Sequence, residues 1–428
     1  NKDGAPFAIG TDYGSDSFGA TVAIDHQKFA GVTTFRVDAY DNAGNHSSAS
    51  VEVDVELLPS GYTAALTGTN HAAAGEVWSG LAVDDKGELI VVGHYMAEGE
   101  LPRIVIERRS PDGDELIAAE FEEPAPGEAS FASAVAIDDE DLLVLVHAPD
   151  RDIVVRYGAD GAIAHTRTSA GVEFRDLAVT EDSTVVVVGN TGAVGVDSTT
   201  LRVWWYTPSL TLEYQRGAVG DGPNLNAAAR VRVAGENVIV AGFVEQAGER
   251  GAWIGSYSAE SATEQWHSVH YDGQDEVFAD FTPVDGGRIV TIGTAMVDSE
   301  PRVRMRRLTL TGEQPLPSDR HDVSNLPYDA PFQYGVRVAR TPGAGEFVMG
   351  ARTCTLAATC QGAVRRYTWS NLGPTPLWWN DSVGLKTTTT TITDLVAGSW
   401  GYVFSLSHCL VNYGQGHHDQ ASLDRYSP

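Results

Sequence analysis

Short runs rich in Val, Ile and aromatic residues recur along this chain, bounded by Gly, Asp, Pro and Ser. Runs of that length and composition predict β-strands. They also recur in a fixed order. Residues 81–95 read LAVDDKGELIVVGHY, followed by RIVIERRSPDGDELIAAEF at 103–121. The same arrangement returns as AVAIDDEDLLVLVH (134–147), LAVTEDSTVVVVG (177–189), VRVAGENVIVAGF (231–243) and FTPVDGGRIVTIGT (281–294). It returns twice more as VRVARTPGAGEFVMGAR (336–352) and LVAGSWGYVFSLSH (395–408). Each copy is followed by a second apolar pair, so each predicts four strands.

Seven consecutive copies of roughly 43–58 residues, four strands apiece, predict an all-β, seven-bladed β-propeller over 59–428. DDKG, DDED, TEDS and DGG mark tight turns between strands one and two, and SPDGD, GADGA and TPSLT mark those between three and four. Insertions fall between strands two and three or between blades. In an antiparallel blade those connections share one face, so that face is where function is expected. The seventh copy ends at Pro428, short of its fourth strand. SGYTAALTGTN (60–70) supplies a matching one, and Tyr62–Leu66 is expected to close blade seven against Ala421–Tyr426. Closure removes two exposed sheet edges. The other reading of 60–70 is an apolar linker.

The apolar strand, DxxGxIxVxG, loop and RYxxDG order stands here as VDDKGELIVVG with RRSPDG, and as IVVRYGADG. It resembles the delta-60-type and related propeller repeats of large bacterial extracellular proteins. That resemblance implies a fold and a secreted, cell-surface or periplasmic location, and no activity. Residues 1–58 differ. FRVDAY and SVEVDVE alternate around the turn cluster DNAGN, which resembles the last hairpin of a bacterial immunoglobulin-like domain. KDGAPFAIGTDYG (2–14) resembles an earlier hairpin. A full sandwich needs about 100 residues, so 1–58 is expected to be a partial one lacking its first strands. A self-contained small β-module is the alternative. LLPSG (57–61) is the expected junction.

With 428 residues, two or three domains are expected, and 42% apolar residues exclude disorder as the main state. No apolar run is long enough for a membrane span. Lys and Arg total 29 against 58 Asp and Glu, a net charge of −29. That balance excludes nucleic acid, whose phosphates need a basic patch. It predicts a monomer kept apart by self-repulsion.

Candidate chemistry is sparse. There is no G-x-S-x-G, P-loop, H-E-x-x-H or C-x-x-C motif. Asp84, Asp85, Asp138, Asp139 and Asp141 crowd the tight turns. They lack EF-hand spacing, and Ca²⁺ is the cation they would take if any. Trp204–Trp205 and Trp378–Trp379 are sugar-stacking platforms or, since strand neighbours point to opposite faces, rings packed against each flanking blade. Thr387–Thr391 reads as an inter-blade loop entering a strand. Of three cysteines, Cys354 and Cys360 bracket one loop and are the favoured disulfide among three possible pairings. Such a bond places the chain in an oxidising compartment. Cys409 would then be a thiol or a ligand.

His94, His147 and His408 end the second strand in blades one, two and seven, which neighbour one another in a closed ring. Cys409, His417 and His418 follow in blade seven. Imidazole and thiolate suit Zn²⁺ or copper, with His408, His417 and His418 ahead of His94 and His147. The competing reading has each ring capping its own strand. Three functions therefore compete: a binding or adhesion module taking a protein or glycan on the loop face, a metal-binding propeller, and a hydrolase or lyase working in the central mouth.

Overall fold

The computed structural model describes residues 31–40, 46–55, 61–66 and, apart from 112–120 and a set of connecting segments, 75–426. The chain divides into two units, Asn1–Ser60 and Gly61–Pro428. In the first, Gly31–Tyr40 and His46–Val55 pair antiparallel, from Gly31 opposite Val55 to Tyr40 opposite His46. These are the two alternating segments of the sequence. The second unit is a ring of seven antiparallel sheets, six of them meanders in chain order and the seventh completed by a strand from the start of the unit. It is a seven-bladed β-propeller. The innermost strands are Gly75–Val83, Phe131–Asp138, Val172–Val179, Asn226–Ala234, Glu276–Val284, Phe332–Arg340 and Thr389–Ala397.

The ring closes as the seventh copy's missing strand requires. Gly61–Leu66 is the outermost strand of blade seven and pairs with its third strand, from Tyr426 opposite Gly61 to Ala421 opposite Leu66. Six blades have four described strands. Blade one has three, and its expected fourth strand at 115–120 lies outside the described residues. The chain that follows, from Phe121 to Ser130, is irregular. It packs against blade two: the Phe121 and Tyr157 rings meet edge to face at 5.3 Å, and the Tyr157 hydroxyl donates to the Glu122 carbonyl.

The core is distributed between blades, because each sheet is apolar on both faces. Trp204 and Trp205 show this directly. Trp204 packs with Leu145, Phe174 and Leu177 between blades two and three. Trp205 turns the other way, to Val231, Trp253 and Tyr257 of blade four. The packing reading therefore holds for this pair. Trp378 and Trp379 lie in a described strand, but their side chains are outside the described residues.

Cys354 and Cys360 face each other as the last pair of the ladder between strands two and three of blade six, and they are disulfide-bonded. The short loop they close would lose about 2 kcal/mol of stability on Cys354→Ser by the chain-entropy relation. Urea denaturation of the variant beside the oxidised parent measures it.

Candidate functional site

The repeated VxG of the second strands shapes the centre of the ring. In all seven innermost strands the register slips by one residue at the same level. Each slip is a β-bulge, which bends the strand and re-aims the residues after it. Gly93, Gly189 and Gly293 pair with the last residue before the bulge, Trp78, Phe174 and Phe278. A Cβ on any of them would run into the bulged strand's carbonyl, that of Val77, Glu173 or Val277. In these three blades the glycine leaves room for the bulged carbonyl, whereas blades two, six and seven carry Val146, Ala351 and Ser407 at the same place. Gly293→Ala is expected to cost about 1–3 kcal/mol through forced backbone movement, read as a lowered urea midpoint at unchanged m-value.

The residue after each bulge is Gly80, Ala134, Asp176, Arg230, Asp280, Arg337 and Asp394 in blades one to seven. From blade three onward, acid and base alternate. The three carboxylates tie blade three to four, five to six and seven to one. Asp176 Oδ2 accepts the Val231 amide at 2.9 Å, Asp280 Oδ2 the Val338 amide at 3.0 Å, and Asp394 Oδ2 the Leu81 amide at 2.8 Å. The last bond crosses the ring closure. Arginines complete the lattice. Arg232 donates to Asp176 at 2.9 Å and to Asp280 at 3.2 Å, and Arg337 donates to Asp394 at 3.0 Å.

Burial pushes the Asp280 and Asp394 carboxyls above the ordinary range, against the pull of Arg230, Arg232 and the bonded amides. Burial also opposes the Arg232 charge, but Asp280 and Asp176 outweigh it and raise that guanidinium. Perturbed acids at a channel are what an active site would show. Their oxygens, however, are already committed. Asp280 Oδ1 also takes its neighbour Phe281's amide at 2.8 Å, and Asp394 Oδ1 takes that of Leu395 at 3.0 Å.

Inside the ring lies a cavity of about 310 Å³ with lining residues from every blade. Its walls run from the bulges to Val83, Arg340 and Ala397, close to the strand ends that feed the tight turns. It occupies the end of the channel away from the longer connections. The Asp/Arg column escaped sequence reasoning. Its signal is the single residue before each first apolar run: D-LAV, R-VRV, D-FTPV, R-VAR, D-LVA.

The expected metal ligands fall in several places. His94 packs edge to face on Phe131 at 4.7 Å. His147 stands opposite Phe131 in the ladder, and its Nδ1 lies 2.7 Å from Asp152 Oδ1. Asp152 in turn accepts the Phe174 amide, linking blades two and three. The side chains of His408, Cys409, His417 and His418 lie outside the described residues. Their backbone register sets His408 opposite Ala421 and His417 opposite Asn412. Those two positions are four ladder steps apart, ~14 Å at about 3.4 Å per residue. Among the described residues, no three His, Cys, Asp or Glu side chains group as a metal site. The turn carboxylates have other work. Asp138 and Asp141 pair with Arg156 at 2.6 and 3.0 Å, and Asp84 Oδ1 caps the Glu88 amide at 2.7 Å.

No family model and no curated protein matches the chain. Solved structures match it in fold. The polysaccharide lyase Uly1 aligns with a TM-score of 0.50 and 9% identity, over 84% of this chain and 91% of that one. The Dos1 propeller aligns at 0.47 and 9%, over 82% and 92%. Extracellular domains 1–2 of Drosophila semaphorin 1a align at 0.47 and 11%, over 82% and 86%. At such identities the likeness is one of fold alone.

Proposed function

We propose that this chain is a non-enzymatic extracellular binding module that takes a protein or glycan on the face carrying the longer connections. The observation that carries the reading is the employment of the channel carboxylates. Asp176, Asp280 and Asp394 spend their oxygens on blade-to-blade amides and arginines, so the acid–base groups a central-mouth hydrolase or lyase would need serve as structural ties. The longer-connection face offers exposed apolar side chains instead: Met96, Leu101 and Tyr271 are 50%, 52% and 39% exposed. Apolar and aromatic groups standing out of a polar surface are common contact points. The Cys354–Cys360 bond supports an oxidising, exported setting. No helix among the described residues is long and apolar enough to cross a membrane.

The test is a glycan array together with capture from a panel of purified surface proteins, using the full chain and a Leu101→Asp/Tyr271→Asp variant. Saturable binding to a defined ligand, lost in the variant, supports the reading. Polysaccharide turnover abolished by Asp394→Asn, or no binding on either panel, overturns it.

A further inference from the structure

From the charge inventory of the central cavity, we infer that the tight-turn end of the channel is a binding site for a small oxyanion, a carboxylate or phosphate group, held by Arg230. This site is separate from the loop-face reading and stands or falls without it. Three guanidinium groups, Arg230, Arg232 and Arg340, and two carboxylates, Asp176 and Asp394, line the cavity, and Arg337 and Asp280 stand in the same column. The carboxylates are met by partners already described. Arg232 is equally committed, to Asp176, Asp280 and the Val231 carbonyl. Arg337 is held by Asp394 and the Val336 carbonyl.

Arg230 is different. It lines the cavity, and its hydrogen bond is a long one, Nη1 to the Ala229 carbonyl at 3.3 Å. Asp280 and Asp394 feel its charge without bonding it. A guanidinium carries five donors in a planar fork that suits carboxylate and phosphate oxygens. Arg230 therefore presents unspent donors to this space of about 310 Å³, together with the surplus positive charge.

Blades one and two have Gly80 and Ala134 where the other five place an Asp or Arg, so they add no charge of their own to the wall. Ser133 lines the cavity there, and its buried Oγ has no hydrogen-bond partner among the described residues. A hydroxyl left unmatched in a buried site carries a cost that a bound acceptor removes. At about 30 Å³ per water, the space holds an oxyanion with part of its hydration shell. Arg340, exposed at the strand end, stands at the rim.

The experiment is titration calorimetry of the full chain with acetate, sulfate and phosphate at constant ionic strength, against a chloride blank. Saturable binding of at least one of them is expected, weakened about tenfold or more in Arg230→Gln. Ser133→Ala, which removes one hydroxyl and leaves the blade ties intact, is expected to weaken it several-fold. It keeps the test usable if Arg230→Gln fails to fold. Binding unchanged in both variants overturns the assignment. So does the absence of saturable binding by all three anions up to roughly 50 mM, the weak limit for a small ion in a real site.

Discussion

Deleting residues 59–68 should destabilise the propeller far more than deleting 1–56. The closing strand Gly61–Leu66 makes six register pairs with Ala421–Tyr426. At about 0.5–1 kcal/mol net per hydrogen bond, its loss is worth about 3–6 kcal/mol. For a ring of this size, with an unfolding entropy near 2.1 cal/mol/K per residue, that is about 4–8 °C in Tm. The deletion also bares the His417–Tyr426 strand as a new edge, an invitation to edge-to-edge association. The hairpin at 31–55 pairs with itself, so its removal takes nothing from the blade ladders. Thermal melts of the parent and the two deletions, with light scattering to follow association, decide the matter. Equal losses in both would mean that the end strand is not what holds the ring shut.

The closing strand was legible in the sequence because a propeller repeat is a local pattern. Four short apolar runs and their turns fall within one window, and a missing fourth strand in the last copy points to its replacement upstream. The Trp204–Trp205 split follows from the same alternation. The Cys354–Cys360 pair was legible because a short loop brings its two ends together whatever the rest of the chain does. The channel was not. Asp394 acts on the Leu81 amide 313 residues away, and only the closed ring makes them neighbours. The bulge that aims Asp394 leaves no sign in hydrophobic periodicity, and Ser407, the residue opposite its start, reads as an ordinary strand residue. His94 and His147 match because repeats place equal residues at equal heights, and each has a local contact, Phe131 and Asp152. Blade one shows the limit of the repeat itself: its copy runs on as ELIAAEF, yet Phe121 has already left the strand pattern to pack on Tyr157.

Replacing Glu276 with Gln should cost about 3–5 kcal/mol, the range found when one partner of a buried ion pair is removed. Glu276 opens the innermost strand of blade five and is 1% exposed. Its carboxylate receives Arg306 through Nε at 2.7 Å and Nη2 at 2.6 Å, and Arg304 through Nη1 at 3.0 Å. Both arginines are buried in the third strand of the same blade. Arg304 reaches onward to Asp322 with two bonds, at 2.5 and 3.0 Å. Through it the three-residue outermost strand Arg320–Asp322 is fastened to the blade. The glutamine variant keeps the shape of the side chain and removes its charge. Two guanidinium groups would then share the buried site with a neutral amide, and the penalty is that of the uncompensated cations. Asp322→Asn is the control. That carboxylate is 39% exposed, so water can replace it at a cost of about 1 kcal/mol or less. Urea midpoints of the parent and both variants at pH 7 give the comparison, and a Glu276→Gln loss no larger than that of Asp322→Asn would show that the buried cluster does not hold blade five together.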